Sequence, residues 1–345
     1  MIKELISNLV NREDLTESEM EHVITFIMDG KATPAQIAAF ITALRMKGET
    51  VEEICGAAKA MIKKAHTVHI RKEKEDVLLD VCGTGGDAHN TFNISTACAF
   101  VLAAGGIKVA KHGNRSVSSK CGSADVLEAL GVKIELSSEA VKRCIEQIGI
   151  GFLFAPLFHP AMKYAALPRR EIGIRTIFNI LGPLTNPARV NAQVLGVFSP
   201  MLTEKLAQVL KRLGLKKAAV VSGMDGMDEV SICAKSKVSY LRDGIIESFE
   251  IDPEDFGIKR ASIADIRGGD AKKNAEIIIG VLSGEKGPKR DAVLMNASLG
   301  FVVAERAKDI KEGIEIAEDI IDRGDALKKL KDFVRLTNEY ASLKA

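Results

Sequence analysis

The sequence lacks the features that mark exported, disulfide-stabilised or membrane-inserted proteins. Its six cysteines, at positions 55, 82, 98, 121, 144 and 233, include no Cys-x-x-Cys pair, so buried free thiols in a reducing compartment are expected. The amino terminus has no signal-peptide pattern, and no run of about 18 apolar residues occurs. These absences predict a cytoplasmic location and no membrane partner.

A strong excess of one charge sign is also absent. The 345 residues carry a formal net charge of +2 and are 46% hydrophobic, which is unlike a polybasic nucleic-acid binder. A chain of this length can bury a large core and can hold one large and one small domain. We therefore expect an ordinary folded protein without a nucleic-acid partner.

Two common nucleotide-binding motifs are missing or weak. No Gly-x-x-x-x-Gly-Lys-Ser/Thr run occurs, which excludes a Walker loop. Gly83-x-Gly85-x-x-Ala88 loosely matches the dinucleotide fingerprint, but residues 101–115 contain no acid that could hold a ribose. A dinucleotide site is therefore disfavoured.

A glycine-rich loop is the most informative feature that is present. Residues 80–89 read as the end of a strand followed by glycines at 83, 85 and 86, and the helix start after them carries Asn93, Ser95 and Thr96. Glycines allow positive φ and let N–H groups approach an anion closely, while the polar side chains add donors at a helix N-terminus. The loop therefore predicts a ligand that carries phosphate.

A second segment, 111–123, has the same chemical character. It contains Lys111, Asn114, Arg115 and Ser123, and charge-assisted hydrogen bonds from such cations are roughly twice as strong as neutral ones. Both segments follow predicted strands, and ligands of open α/β sheets bind outside the carboxyl ends of the strands. Two anion-binding loops are therefore predicted.

The first 65 residues read as three or four short helices. Capping boxes begin at Thr16, Thr33 and Thr50, and Gly30 and Gly48 supply plausible stops. A charged segment at 71–76 is a candidate linker.

Beyond this linker, apolar runs typical of strands alternate with helical patterns, which favours parallel βαβ units. The predicted strands are 77–82, 107–110, 151–155, 193–198 and 217–222, and the helical patterns include 138–148 and 203–213. Residues 160–182 read as helical with Pro168 and Pro183 as punctuation, 236–251 as short strands with a turn at 242–244, and 270 onward mostly as amphipathic helix. The fold class predicted is α/β, with a small all-helical domain and a large α/β domain whose mostly parallel central sheet is flanked by helices.

Several segments resemble the signature of the anthranilate phosphoribosyltransferases. They are 83–87, 91–96, 111–115, 169–176, 178–187 and 228–229, which follow the family's order and lie between residues 83 and 229. The resemblance implies a small helical domain formed by 1–71 and 160–185, and a large donor-binding domain formed by 72–159 and 186–345. It also implies a homodimer that forms through the helical domain.

The resemblance further implies a reaction. The 5-phosphoribosyl group of phosphoribosyl pyrophosphate would pass to the amine of anthranilate, with release of pyrophosphate and with Mg²⁺ as cofactor. The implied donor-binding residues are Gly83, Gly85, Gly86, Asp87, Thr91, Asn93, Ser95, Thr96, Lys111, Asn114 and Ser123. The implied metal ligands are Ser95, Asp228 and Glu229, and Asp87 is expected to act through the metal, water or the donor's hydroxyls.

The acceptor residues implied by the resemblance are Gly83, His112, Asn114, His159, Tyr164, Arg169 and Gly182. Arg169 is preferred over Arg170 for the carboxylate of anthranilate, because a planar guanidinium suits a carboxylate. His112 and His159 are assigned to binding, and no residue is assigned as a general acid or base.

Three alternatives remain open. A pyrimidine nucleoside phosphorylase shares this fold, but its usual Lys-His-Ser-Thr-Gly-Gly loop is replaced here by the sequence at 82–86. A non-catalytic nucleic-acid-binding relative of the same fold is opposed by the near-neutral charge and by retention of Arg169, Asp228 and Glu229. A phosphoribosyltransferase of the other common fold would carry two adjacent acids after a strand, whereas Asp80 stands alone.

Overall fold

The computed structural model describes residues 1–71, 76–87, 89–116 and 120–342. Residues 72–75 of the predicted linker, Ala88 of the weak dinucleotide match and residues 117–119 of the second predicted loop lie outside these ranges. The α-helices are α1 (Ile2–Val10), α2 (Glu17–Met28), α3 (Pro34–Lys47), α4 (Val51–Lys64), α5 (Ile94–Ala104), α6 (Ser123–Ala129), α7 (Ser138–Ile148), α8 (Ala155–Phe158), α9 (Lys163–Ile172), α10 (Phe178–Leu184), α11 (Leu202–Arg212), α12 (Ala271–Leu282), α13 (Pro288–Val303), α14 (Ile310–Asp322) and α15 (Asp325–Ser342). The strands are β1 (Leu78–Gly83), β2 (Lys108–Gly113), β3 (Ile150–Phe154), β4 (Ala192–Gly196), β5 (Lys217–Gly223), β6 (Ser236–Arg242) and β7 (Ile245–Ile251).

The amino-terminal helices begin where the capping boxes predict. Thr16, Thr33 and Thr50 each accept a hydrogen bond from the backbone N–H three residues on, and the side chain at that position bonds back to the cap. Gly48 ends α3, and Gly30 follows α2 with φ of +71°. These local predictions are confirmed.

The prediction that Pro168 and Pro183 interrupt the helical segment is wrong. Both prolines lie inside helices, Pro168 in α9 and Pro183 in α10. Each proline lacks one N–H and so removes one backbone hydrogen bond, and both helices form despite this loss. The break falls instead at Gly173, whose left-handed φ of +65° ends α9.

The strands form one seven-stranded sheet of order β3-β2-β1-β4-β5-β6-β7. The first five strands in this order are parallel, and β6 and β7 add an antiparallel edge. The chain runs outward from β1 through β2 to β3 and then resumes on the other side of β1 with β4. The carboxyl ends of β1 and β4 therefore form the crevice at which ligands of open α/β sheets bind.

The two faces of the sheet pack into different apolar clusters. Ala219 and Val221 of β5 join the cluster that includes α5, α7 and the carboxyl-terminal helices, while Ala218 and Val220 join the cluster that includes α1–α4 and α11. The alternation follows from the two-residue period of a strand. The helical and mostly parallel α/β parts confirm the predicted fold class.

The structure also tests the predictions about cysteines and membrane-spanning helices. All six cysteines are free, and all but Cys233 are buried, which confirms the prediction of buried free thiols. Among the described residues, no helix combines the length and apolarity required to cross a bilayer.

We predict that Glu53 of α4 contributes more to stability than an ordinary capping residue. Its buried carboxylate accepts hydrogen bonds from the Leu15 N–H (2.9 Å), the Thr50 N–H (2.8 Å) and the Lys47 ammonium (2.9 Å). Glu53→Ala should lower the free energy of unfolding by about 3 kcal/mol, because it leaves the Leu15 N–H without its acceptor and leaves the buried Lys47 ammonium with Asp14 as its remaining carboxylate. Gln36→Ala at the equivalent but solvent-accessible position of α3 should cost about 1 kcal/mol. Urea unfolding of both variants tests this, and equal losses would contradict it.

Candidate active site

The turn that carries Asp228 and Glu229 lies directly on the ends of the two central strands. Gly83 of β1 is paired with Gly196 of β4. A Cβ atom on Gly83 would overlap the carboxylate of Asp228, and a Cβ on Gly196 would overlap its carbonyl oxygen. Glycine at both positions therefore allows the acidic turn to reach the crevice.

The glycine-rich loop has two kinds of glycine. Gly85 and Gly86 have φ of +68° and +77°, which confirms the predicted left-handed backbone. Gly83 is different, because it lies in β1 without positive φ and is required for space. The expectation of positive φ at Gly83 is therefore wrong.

The loop backbone is joined to the acidic turn by hydrogen bonds. The Gly85 N–H donates to Asp228 Oδ2 at 2.6 Å, and the Thr84 N–H donates to the Gly196 carbonyl at 2.9 Å. The acid pair and the loop therefore share one edge of the sheet.

Acidic side chains are crowded at this edge. Burial, followed by the nearby Asp87 carboxylate, raises the pKa of Asp228, and burial, followed by Asp228, raises the pKa of Glu229. Asp87 Oδ2 is buried without a hydrogen-bond partner among the described residues. A cation bound beside these acids would relieve the unfavourable burial of their charge.

No group of three or more metal-ligating side chains is arranged to enclose an ion by itself in the part of the chain that the structure describes. Mg²⁺ is commonly held by one or two carboxylates, with water and substrate phosphates completing its shell. Such an open acidic site suits an ion that arrives together with a polyanion.

Lys111 is a buried cation close to Glu229. Its buried ammonium donates to the Val81 carbonyl at 2.6 Å and to Ser95 Oγ at 3.1 Å, and its charge opposes the rise in the pKa of Glu229. The Ser95 N–H at the start of α5 donates to Glu229 Oε1 at 3.3 Å. Lys111, Ser95 and Glu229 thus form one connected group.

The polar side chains at the start of α5 do not all face the crevice as free donors. The Asn93 amide is engaged with Cys121 and Asn274. Thr96 is buried, and its Oγ1 has no partner among the described residues. Thr91 forms an isolated bridge with Arg267.

The second loop is less cationic than its sequence suggests. The Arg115 guanidinium pairs with Asp125 and Glu128 of α6, so its charge is balanced within the segment. Asn114 is exposed, and Ser123 Oγ donates to the Asn114 carbonyl at 3.4 Å. Asn114 and Ser123 therefore lie together at the mouth of the crevice.

A separate, less polar group lies where β2 ends. His112 Nδ1 is 3.0 Å from the Gly182 carbonyl, and the His112 and His159 rings are 5.2 Å apart. Burial lowers the pKa of His112 to about 3 and that of His159 to about 4, so both rings are neutral near pH 7. Their Nε2 atoms are buried without partners among the described residues.

Arg169 and Tyr164 of α9 are placed differently from each other. The Arg169 guanidinium lies 5.3 Å from the centre of the Phe178 ring, and burial lowers its pKa. Its charge has no ion-pair partner within the described ranges. Tyr164 is more exposed, and its ring lies against Gly30 at the end of α2.

Two further residues at the site have little sequence signal. The buried Asp80 carboxylate accepts hydrogen bonds from the His112 N–H (3.2 Å) and from Asn186 (2.8 Å). The sequence feature that could have indicated Asp80 is its position as an acid inside an otherwise apolar strand. Arg175 lies beside Gly86 and stacks 4.3 Å from the centre of the Phe198 ring, and no local pattern indicates this contact.

Comparisons with known proteins agree with this geometry. The profile described as "Glycosyl transferase family, helical bundle domain" matches residues 3–65, and the profile "Glycosyl transferase family, a/b domain" matches residues 75–327. The anthranilate phosphoribosyltransferase of Acetivibrio thermocellus is 57% identical over 99% of this chain and 98% of its own length. That of Geotalea uraniireducens is 56% identical over 98% of this chain and 100% of its own length.

Solved structures give the same result. The Thermus thermophilus anthranilate phosphoribosyltransferase superimposes with a TM-score of 0.91 at 41% identity, covering 97% of this chain and 99% of that one. The Saccharomyces cerevisiae enzyme, solved in complex with PRPP and Mg, has a TM-score of 0.88 at 30% identity, covering 98% of both chains. From its helical and α/β parts, its glycine loop and acidic turn, and these full-length similarities, we conclude that the chain belongs to the anthranilate phosphoribosyltransferases, a family of pentosyl-transferring glycosyltransferases.

Proposed function

We propose that this chain transfers the 5-phosphoribosyl group of phosphoribosyl pyrophosphate to the amine of anthranilate in tryptophan biosynthesis. The observation that carries the proposal is the contact between the glycine loop and the acidic turn at the ends of β1 and β4. It puts backbone N–H groups and carboxylates at one place, which suits a metal-bound polyanion better than a neutral ligand.

The donor would lie along the glycine loop and the start of α5. Gly83, Gly85 and Gly86 give its phosphates access to backbone N–H groups, and Lys111 supplies positive charge. The other proposed contacts are Asp87, Thr91, Asn93, Ser95, Thr96, Asn114 and Ser123. Support comes from the position of these residues around the carboxyl ends of β1 and β2.

Asp228, Glu229 and Ser95 would hold magnesium. The fit rests on the raised pKa values of the two acids and on Asp87 Oδ2, which is buried and has no partner among the residues that the structure describes, because a divalent cation would relieve this charge. When bound, Mg²⁺ would neutralise charge on the pyrophosphate.

In the reaction, the bond between the anomeric carbon and pyrophosphate breaks and a bond to the anthranilate nitrogen forms. The carbon passes through a state with oxocarbenium character, as in glycoside cleavage. Loop N–H groups and the Lys111 ammonium would stabilise the negative charge that the leaving pyrophosphate gains. No residue is proposed as a general base, since the amine can lose its proton after attack.

Anthranilate would lie beside His112, His159 and Gly182, with Gly83, Asn114 and Tyr164 as further contacts. A carbonyl only accepts hydrogen bonds, so the contact to Gly182 puts the ring proton of His112 on Nδ1 and leaves Nε2 as an acceptor. The Nε2 atom would accept a hydrogen bond from the amine of anthranilate. Arg169 would bind the carboxylate, because it is cationic, half-buried and held against an aromatic ring.

The finer assignments of location and assembly are also proposals. We propose the domain division 1–71 with 160–185 and 72–159 with 186–345, supported by the packing of α9 on α2 and α3 and of α10 on α4. A homodimer through the helical domain is supported by Val10 and Met46, which are apolar yet 67% and 72% exposed. A cytoplasmic location is consistent with the six free thiols.

The proposal predicts that anthranilate fluorescence is lost only when both phosphoribosyl pyrophosphate and Mg²⁺ are present. Asp228→Asn combined with Glu229→Gln should abolish the loss, because the ion would have no carboxylate ligand. Equal turnover in excess EDTA would contradict the role of the metal, and no turnover by folded wild type would contradict the function.

Arg169 and its neighbour Arg170 offer a matched pair. Arg169→Ala should raise the KM for anthranilate by about 10–100-fold, because loss of hydrogen bonds to a charged group weakens binding by about that factor. The KM for phosphoribosyl pyrophosphate should change less. Arg170 is exposed, so Arg170→Ala should change neither constant by more than about twofold. The opposite pattern would reassign the carboxylate to Arg170.

The raised pKa of Glu229 predicts that the stability of the metal-free protein depends on pH. The folded state retains a proton that the unfolded state releases above about pH 4.5, so stability falls as the pH rises beyond that point. Glu229→Gln should therefore raise the melting temperature in EDTA at about pH 8 and have little effect near pH 4.5. A pH-independent difference between variant and wild type would contradict the assignment.

A further inference from the structure

Asn296 of α13 is bonded to the backbone next to the acidic pair. Its Oδ1 accepts a hydrogen bond from the Val230 N–H at 2.7 Å, and its Nδ2 donates to the Val230 carbonyl at 2.9 Å. Val230 directly follows Glu229 in the chain. Asn296 thus satisfies both backbone groups of Val230, as a neighbouring strand would, and fixes the carboxyl end of the acidic turn.

Asn274 of α12 is hydrogen-bonded beside the start of α5, on the side of the site where the glycine-rich loop lies. Its Nδ2 donates to Asn93 Oδ1 at 2.9 Å, and its Oδ1 accepts from the Gly269 N–H at 2.7 Å. Asn93, the residue before α5, donates in turn to the Cys121 carbonyl at 3.2 Å. Asn274 therefore joins Gly269 to the start of α5, and it reaches the second loop through Asn93.

Both asparagines are buried, with 1% of Asn274 and 4% of Asn296 exposed. Burial of an amide is unfavourable unless its donors and acceptors are paired, and each of these amides has partners on both its oxygen and its nitrogen. The segments that they hold are loops and turns outside the main sheet, where an isolated bridge at Thr91 is joined by these side-chain hydrogen bonds in setting the backbone position.

We propose that Asn296 and Asn274 are positioning residues for the donor site, acting on its two halves separately. Asn296 sets the position of Asp228 and Glu229 for the metal, and Asn274 sets Asn93 and the second loop for the phosphates. This inference rests on the proposed function. Neither amide needs to touch a substrate, since each acts through a residue that does.

The test uses Asn296→Ala and Asn274→Ala of the full chain, with Asn191→Ala as matched control. Asn191 also bonds two backbone groups, the Leu78 N–H and the Asp76 carbonyl, each at 2.8 Å, but at the amino ends of β1 and β4. Calorimetry would measure the binding of Mg²⁺ in the presence of inorganic pyrophosphate, and of phosphoribosyl pyrophosphate at saturating Mg²⁺. Melting temperatures of all variants would be recorded beside these constants.

Asn296→Ala should raise the Kd for Mg²⁺ by about 10–100-fold, as is typical when a partner behind a metal ligand is lost. Saturating Mg²⁺ should largely restore its binding of phosphoribosyl pyrophosphate. Asn274→Ala should raise the Kd for phosphoribosyl pyrophosphate by about tenfold, and excess Mg²⁺ should not restore it. The double variant Asn93→Ala with Asn274→Ala should bind no more weakly than Asn93→Ala alone, since one residue acts through the other.

The proposal is overturned if both variants lose melting temperature while their binding constants move no further than those of Asn191→Ala. It is also overturned, together with the proposed function, if wild type binds neither Mg²⁺ with pyrophosphate nor phosphoribosyl pyrophosphate. If wild type binds both but consumes no anthranilate, the proposed function fails alone, and the predicted shifts in the variants would still support the positioning roles.

Discussion

The site depends on a close approach between backbones that only glycine permits. Gly83 and Gly196 end two neighbouring parallel strands, and the turn at 228–229 rests on both of them. Without this contact the acids would stand away from the glycine loop, and the Gly85 N–H could not reach the Asp228 carboxylate. The order of the strands forms the crevice at the carboxyl end of the sheet. Because Gly83 and Gly196 have no side chains, the loop and the turn can meet there.

This approach has an electrostatic cost. Asp228 and Glu229 are brought close to Asp87 in a poorly solvated place, and the buried Lys111 opposes only part of the resulting repulsion. The structure tolerates the repulsion because rigid elements hold each group, including β1, β2, the start of α5 and the helices behind the turn. A site of this kind gains most from a ligand that brings positive charge to the acids and negative charge to the loop, and a metal-bound pyrophosphate group does both.

Most features that depend on adjacent residues were predicted correctly from the sequence. Features that depend on contacts between distant residues were not. The capping boxes at Thr16, Thr33 and Thr50 and the left-handed Gly85 and Gly86 depend on a few adjacent residues, so they could be read from the sequence. The role of Gly83, by contrast, depends on a turn more than 140 residues later. The engagement of Asn93 by Asn274, the buried Asp80 beneath His112 and the contact of Arg175 with Gly86 are likewise set by tertiary packing. The acid pair itself was found through the family resemblance, since an Asp-Glu dipeptide alone is usually a solvated loop.

Helix α5 has a further consequence for how the chain is made. Nine of its eleven residues are buried, and the helices that pack on it include α13, α14 and α15 at the far end of the chain. Their synthesis begins roughly 180 residues after α5 is complete, which at about 5–20 residues per second corresponds to about 10–40 s on the ribosome. During that interval the helix that begins the donor site would be an apolar surface without its cover. The nascent chain is therefore expected to depend on chaperone protection at this helix until α13, α14 and α15 emerge.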